Sequence, residues 1–165
     1  MEEYDQMLSR MEAAGIDVSS GGQQTEEAIA RLETLISHPL PASYRRFVAE
    51  YGFAGPEENP YKGIYENDPA AKVGESAYYH TCVLRGEWGL PSSYLVVNYE
   101  HDLEMATCID LADRDGDECA IVVVEYRSGE LDVSIESSSF QESFLRHMEQ
   151  LIEAEEEWNE AEEES

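Results

Sequence analysis

The segment Asp113-Arg114-Asp115-Gly116-Asp117-Glu118 brings four carboxylates into six residues, an arrangement that could converge on a hard cation. The register does not fit a calcium loop of the EF-hand type. Counted from Asp113, glycine comes fourth where such a loop needs it sixth, and both flanks read as strands, so the segment is expected to be a solvated turn. Cys82 lies two residues from His80, which in an extended segment would put thiol and imidazole on one face, but no orienting carboxylate accompanies them. His38, His80, His101 and His147 are scattered, without ligand spacing. The sequence has no Gly-x-Ser-x-Gly elbow, no Walker-type phosphate loop and no dinucleotide fingerprint. Three cysteines cannot pair completely and none forms Cys-x-x-Cys, which argues against a disulfide framework or structural zinc; Cys108 and Cys119 read as small buried hydrophobes. The reading is a non-enzymatic chain with no catalytic, cofactor-binding or metal-ligating residues.

Recognition chemistry is better represented. With 37 acidic and 10 basic side chains the net charge is -27, which opposes nucleic acid and anionic membrane and favours a basic partner. Tyrosines outnumber phenylalanines ten to four, and Tyr61, Tyr65, Tyr78, Tyr79 and Trp88 gather in a loop-rich middle beside Glu57, Glu58, Glu66, Asp68 and Glu87. Aromatic rings with nearby carboxylates suit a surface that grips a basic protein, although part of these rings is expected simply to cover a sheet. The expected partner contacts are Glu57, Glu58, Tyr61, Tyr65, Glu66 and Asp68 on one long connection. Asp113, Asp115, Asp117 and Glu118 on the turn complete the set.

These residues need a scaffold, and at 165 residues the chain is long enough for one domain with a real core. Leu40-Pro41-Ala42-Ser43-Tyr44 to Gly52 reads as a short helix with proline at its start, glycine after its last turn, and Tyr44, Phe47, Val48 and Tyr51 on one face. Before it, Thr25 can cap a helix with Ile29, Leu32, Leu35 and Ile36 inward, ending near His38-Pro39. Residues 1–24 are expected as an N-terminal helical appendage, with Tyr4, Met7, Leu8 and Met11 on one side, followed by a flexible joint at Ser19-Ser20-Gly21-Gly22. From Phe53 to Asp68 the composition predicts a long surface connection with at most a short strand at Gly63-Ile64-Tyr65. Strands are expected at 94–99, 107–111, 120–126 and 131–135, the last two joined by a tight loop at Arg127-Ser128-Gly129-Glu130. Ser139 to Glu142 matches a capping box that opens a closing helix along Phe140, Phe144, Leu145, Met148, Leu151 and Ile152. Residues 153–165, with eight glutamates, read as an acidic tail. The order predicts an α+β domain over 25–152, with helices on an antiparallel or mixed sheet. The acidic N-terminus and the lack of a long apolar run point to a cytoplasmic location.

Six motifs in order carry a resemblance: Leu40-Pro41-x-x-Tyr44-x-x-Phe47-x-x-x-Tyr51-Gly52, Gly63-Ile64-Tyr65, Leu90-Pro91-x-x-Tyr94, Cys108-Ile109-Asp110-Leu111, Glu118-Cys119-Ala120-Ile121-Val122 and Ser139-Phe140-x-x-Phe144-Leu145. Over roughly residues 25 to 152 the chain resembles the SUKH superfamily of cell-wall-assembly-regulator-like domains, in particular its bacterial toxin-immunity branch. It departs from the family pattern at Phe53, Glu66 and Ala120, where glycine, glycine and proline are common. The resemblance implies an α+β domain without catalytic residues that binds and neutralises a cognate toxin, frequently a nuclease. It also implies an alternative, a regulatory scaffold or adaptor, as in relatives linked to cell-wall control.

Overall fold

A computed structural model describes residues 2–164. The elements run α1 (Glu2–Ala13), β1 (Val18–Ser20), α2 (Glu26–Ile36), α3 (Ala42–Tyr51), β2 (Ala54–Pro56), α4 (Ala77–Trp88), β3 (Tyr94–Glu100), β4 (Met105–Asp115), β5 (Glu118–Arg127), β6 (Glu130–Ser137) and α5 (Phe140–Glu164). Strands β3 to β6 form one antiparallel sheet in sequence order, and β1 pairs with β2 in a small antiparallel ladder. The class is α+β, with the terminal helices flanking the central sheet.

The β-branched runs are apolar on both faces because both faces are covered. Leu95, Val97, Ile109, Leu111, Cys119 and Ile121 meet α1, α2, α3 and α5, while Val96, Ala106, Cys108, Val122 and Val124 meet Leu84 and Trp88 of α4 on the other side. Between the first layer and the sheet lies an aromatic cluster: Tyr44 stands edge-on to Phe140 at 4.8 Å, and Phe47 lies 5.2 Å from Phe144. Burial pushes the Tyr44 phenol above its ordinary pKa, and its hydroxyl donates to the Lys62 carbonyl at 2.8 Å.

Two expectations are corrected. Helix α1 is no appendage: Tyr4, Met7 and Met11 are buried in the main core, the Tyr4 hydroxyl donates to the Ser43 carbonyl at 3.1 Å, and Arg10 pairs with Glu149 of α5 at 2.6 Å. The expected joint is ordered because Val18–Ser20 finds a strand partner. Gly21, just beyond, donates to the Tyr51 carbonyl and lies against the Phe53 ring, where a side chain would collide. The second correction is α4, a helix in what read as the loop-rich middle. Ser76 caps it by accepting from Tyr79 N, Gly89 ends it at φ 70°, and Ala77, Thr81, Leu84 and Trp88 form its inward line. In helical geometry His80 and Cys82 no longer share a face. His80 Nε2 lies 2.9 Å from the Gly74 carbonyl oxygen, while Cys82 is exposed.

The two sheet edges differ. Along β3, the Lys62 N–H donates to the Val97 carbonyl at 2.7 Å and the Val96 N–H donates to Thr81 Oγ1 at 2.9 Å. Along the outer edge of β6 no strand pairs among the described residues. Its Val133 and Ile135 lie opposite Val124 and Val122 of β5 but beyond the cover of α4, and Ile135 is 75% exposed.

Candidate functional site

The expected contact residues fall into three places. The first is the β4–β5 turn, which docks on the start of α3. Pro41, at the cap position of that helix, has no side-chain oxygen to offer, so the first N–H groups need an outside acceptor. The Asp117 carbonyl accepts from Ala42 N at 2.7 Å, and the Glu118 carboxylate accepts from Ser43 N at 3.0 Å and Ser43 Oγ at 2.7 Å. A carboxylate at a helix N-terminus also meets the positive end of the dipole. Glu118 is therefore a remote cap, half-buried in the fold. Asp113 and Asp115 stay exposed beside Ile135 and Glu142 at a shallow depression of about 390 Å³. Arg114, between them, reaches the Pro39 carbonyl at 2.6 Å.

The second place is the turn after Gly63-Ile64-Tyr65. Glu66 and Asn67 take positive φ angles of 48° and 59°, the conformation that favours glycine, so the family's usual glycine at position 66 has a geometric reason that this chain overrides. The turn is tied to the start of α2, since Asn67 N donates to Gln24 Oε1 at 2.7 Å and Thr25 N donates to Asn67 Oδ1 at 2.8 Å. Asp68 accepts from Ala70 N at 3.0 Å and lies 3.6 Å from Arg31. Tyr65 stacks on Phe53 at 6.2 Å.

Tyr61 is misplaced by the sequence reading. It is 1% exposed, its ring packs edge-on to Phe144 at 5.2 Å, and its hydroxyl lies 2.9 Å from His147 Nδ1. Its burial follows from an isolated bridge with Ala54, which draws the connection inward. Lys62, next to it, is only 6% exposed; its ammonium donates to Asn59 Oδ1 at 2.9 Å, and burial pulls its pKa down to about 8. Trp88 likewise covers the sheet, stacked on Tyr126 at 5.3 Å.

The third place joins Glu57 and Glu58 to residues far away in sequence. A cleft of about 620 Å³ opens between the α1–β1 loop, the turn after β2 and the late turns of α5. Ile16, Pro56, Leu151, Ala154 and Trp158 supply its apolar walls, and Asp17, Glu57, Glu58 and Glu155 its charged rim. Among the described residues none of these four carboxylates takes a hydrogen bond or ion pair from the chain, and no lysine or arginine lines the cleft. Trp158 is 64% exposed. It was hidden in the sequence because it stands among glutamates of an apparent tail; helix α5 in fact continues unbroken to Glu164. Since Glu142 borders the first place and Trp158 the third, the two lie about 24 Å apart along α5 at 1.5 Å per residue.

Among the described residues no group of three or more His, Cys, Asp or Glu is placed to hold a metal ion, and no helix is long and apolar enough to cross a membrane. The profile of the SMI1 / KNR4 family (SUKH-1) matches residues 24–146. No curated protein matches the chain.

Proposed function

The chain belongs to the SMI1 / KNR4 family (SUKH-1), and from that premise we propose that it is an immunity protein that neutralises a basic toxin, a nuclease domain, by stoichiometric binding in the cytoplasm. The observation that carries this reading is a set of carboxylates the fold leaves unused. Glu57, Glu58, Asp113 and Asp115 are exposed, and among the described residues none has a side-chain partner within the chain. On a chain of net charge -27 they present a field that steers a cationic protein and repels the nucleic acid competing for the same toxin surface. Occupying that surface blocks the toxin without any chemical step by the inhibitor. Glu66 and Asp68 contribute charge to the same field, whereas Tyr61 and Glu118 act through the fold.

Co-expression with a basic nuclease toxin domain, starting from any candidate encoded in a neighbouring gene, tests the reading. Survival of cells carrying both, and death of cells carrying the toxin alone, is expected, with the two proteins co-purifying at one to one. Toxin lethality undiminished by the co-expressed, folded chain would overturn it, and a change in cell-wall phenotype in the absence of any toxin would favour the regulatory alternative.

A further inference from the structure

The cleft beside Trp158 lies partly outside the span that matches the family. Two of its three walls, residues 15–17 and 151–158, flank the matched span 24–146, and the third, residues 56–58, lies within it. Trp158 is 64% exposed and does not stand alone: with Ile16, Leu151 and Ala154 it forms one apolar face inside an acidic rim. A second copy of this chain is a poor cover, because each copy carries -27 and the groove rim is wholly acidic.

We propose that this cleft receives an arginine-bearing segment of a basic protein partner. The guanidinium is the group that fits. It stacks on an indole face, is weakly hydrated enough to leave water, and meets carboxylates two bonds at a time. Its aliphatic stem and the flanking apolar residues suit Ile16, Leu151 and Ala154, while Glu57, Glu58 and Glu155 answer the charge. The inference rests on the reading of the chain as a binder of basic proteins, and it converts a diffuse charge attraction into one site with an aromatic anchor at its centre.

The test uses the full chain and a capped decapeptide alternating arginine and leucine, with a glutamine-for-arginine peptide as control. The indole N–H signals of Trp158 and Trp88 are told apart by W158F. A saturable shift of the Trp158 signal is expected with the arginine peptide only. W158A should weaken binding by about tenfold, E57Q/E58Q by a similar factor, and D113N/D115N by less than about twofold. Trp158 lies outside the core, so W158A stays folded and an unchanged affinity would overturn the site. Equal binding of the glutamine peptide, or a shift of Trp88 in place of Trp158, would overturn it as well. The two readings separate cleanly: toxin neutralised fully by W158A sinks the cleft and leaves immunity standing, whereas peptide seated at Trp158 with no toxin neutralised does the reverse.

Discussion

At the β4–β5 turn the Glu118 carboxylate takes two hydrogen bonds from Ser43 and closes the start of α3, whereas beside β2 the Glu57 and Glu58 carboxylates take none from the described residues. Both sites are acidic loops of similar composition, and both looked alike as surfaces for a basic partner. What separates them is demand. Helix α3 begins at a proline with orphan donors that must find an acceptor, and the turn was drawn in to supply it. Among the described residues the β2 turn meets no such orphan helix end, so Glu57 and Glu58 keep their charge unpaired. An acidic residue's role is thus settled less by its own neighbours in sequence than by whether a helix end elsewhere lacks a cap.

The largest test of this contrast is stability. Glu118→Ala removes a charged cap and leaves Ser43 N without its acceptor, so it should cost about 2 kcal/mol and lower Tm by roughly 5 °C. Glu57→Ala and Glu58→Ala should each stay within about 0.5 kcal/mol in the same thermal melts. Equal losses at the two ends would break the distinction. Association with the toxin should invert the order. E57K/E58K is expected to slow it by about tenfold at low salt, a larger change than the speeding of dissociation that follows from losing their contacts in the complex, and raising salt should erase most of the difference in association in stopped-flow traces. Glu118→Gln, in protein that remains folded, should leave the rate near that of the parent.

His147 lies between the two ends on α5 and offers a smaller, pH-dependent test. Burial lowers its pKa below the ordinary 6.5, and its ring nitrogen sits 2.9 Å from the Tyr61 hydroxyl. The unfolded chain therefore takes up the proton first. The stability that comes from keeping this ring neutral is fully present above pH 6.5 and is lost as pH falls through that value. Denaturant titrations at pH 7.5 and 5.5 should show a shallower acid loss in His147→Gln than in the parent, and an unchanged slope would place the sensitivity at His80, whose pKa burial also lowers. The smallest expected effect is truncation after Ala154. Trp158 is 64% exposed, so the thermal midpoint should move by less than about 2 °C, even while arginine-peptide binding is lost. A larger drop would mean that the late turns of α5 support the body.

The four strands of the main sheet and four of the five helices among the described residues were legible because their signals are local. The strand expected over 120–126 is Glu118–Arg127, and the helix capped by Thr25 runs Glu26–Ile36 as its stripe requires. Helix α4 was missed although Ser76 and Gly89 mark both of its ends, since its inward line uses Ala77 and Thr81, small or polar residues that leave no apolar stripe. Thr81 is inside because its hydroxyl serves two backbone partners, accepting from Val96 N and donating to the Ala77 carbonyl. The N-terminal helix read correctly as a helix but not as core, because nothing in Ser19-Ser20-Gly21-Gly22 announces that Ala54–Pro56 awaits it as a strand partner. Of the residues lining the cleft, Glu57 and Glu58 are ones that composition already singles out. Ile16, Leu151 and Trp158 could not be, as only the closure of α1 against α5 brings their segments together.

The open edge of β6 gives the acidity a further meaning. An unpaired strand flanked by exposed valine and isoleucine is the template on which domain-swapped pairs and fibrils grow, and neither proline nor a covering helix guards most of this one. Glu130, Asp132 and Glu136 within the strand, backed by the charge of the whole chain, keep copies from zipping together by mutual repulsion. That safeguard is removable by solvent. As acid protonates the carboxylates or concentrated salt screens them, the colloidal stability of the protein should fail before its fold does, and the first event should be edge-to-edge pairing through β6.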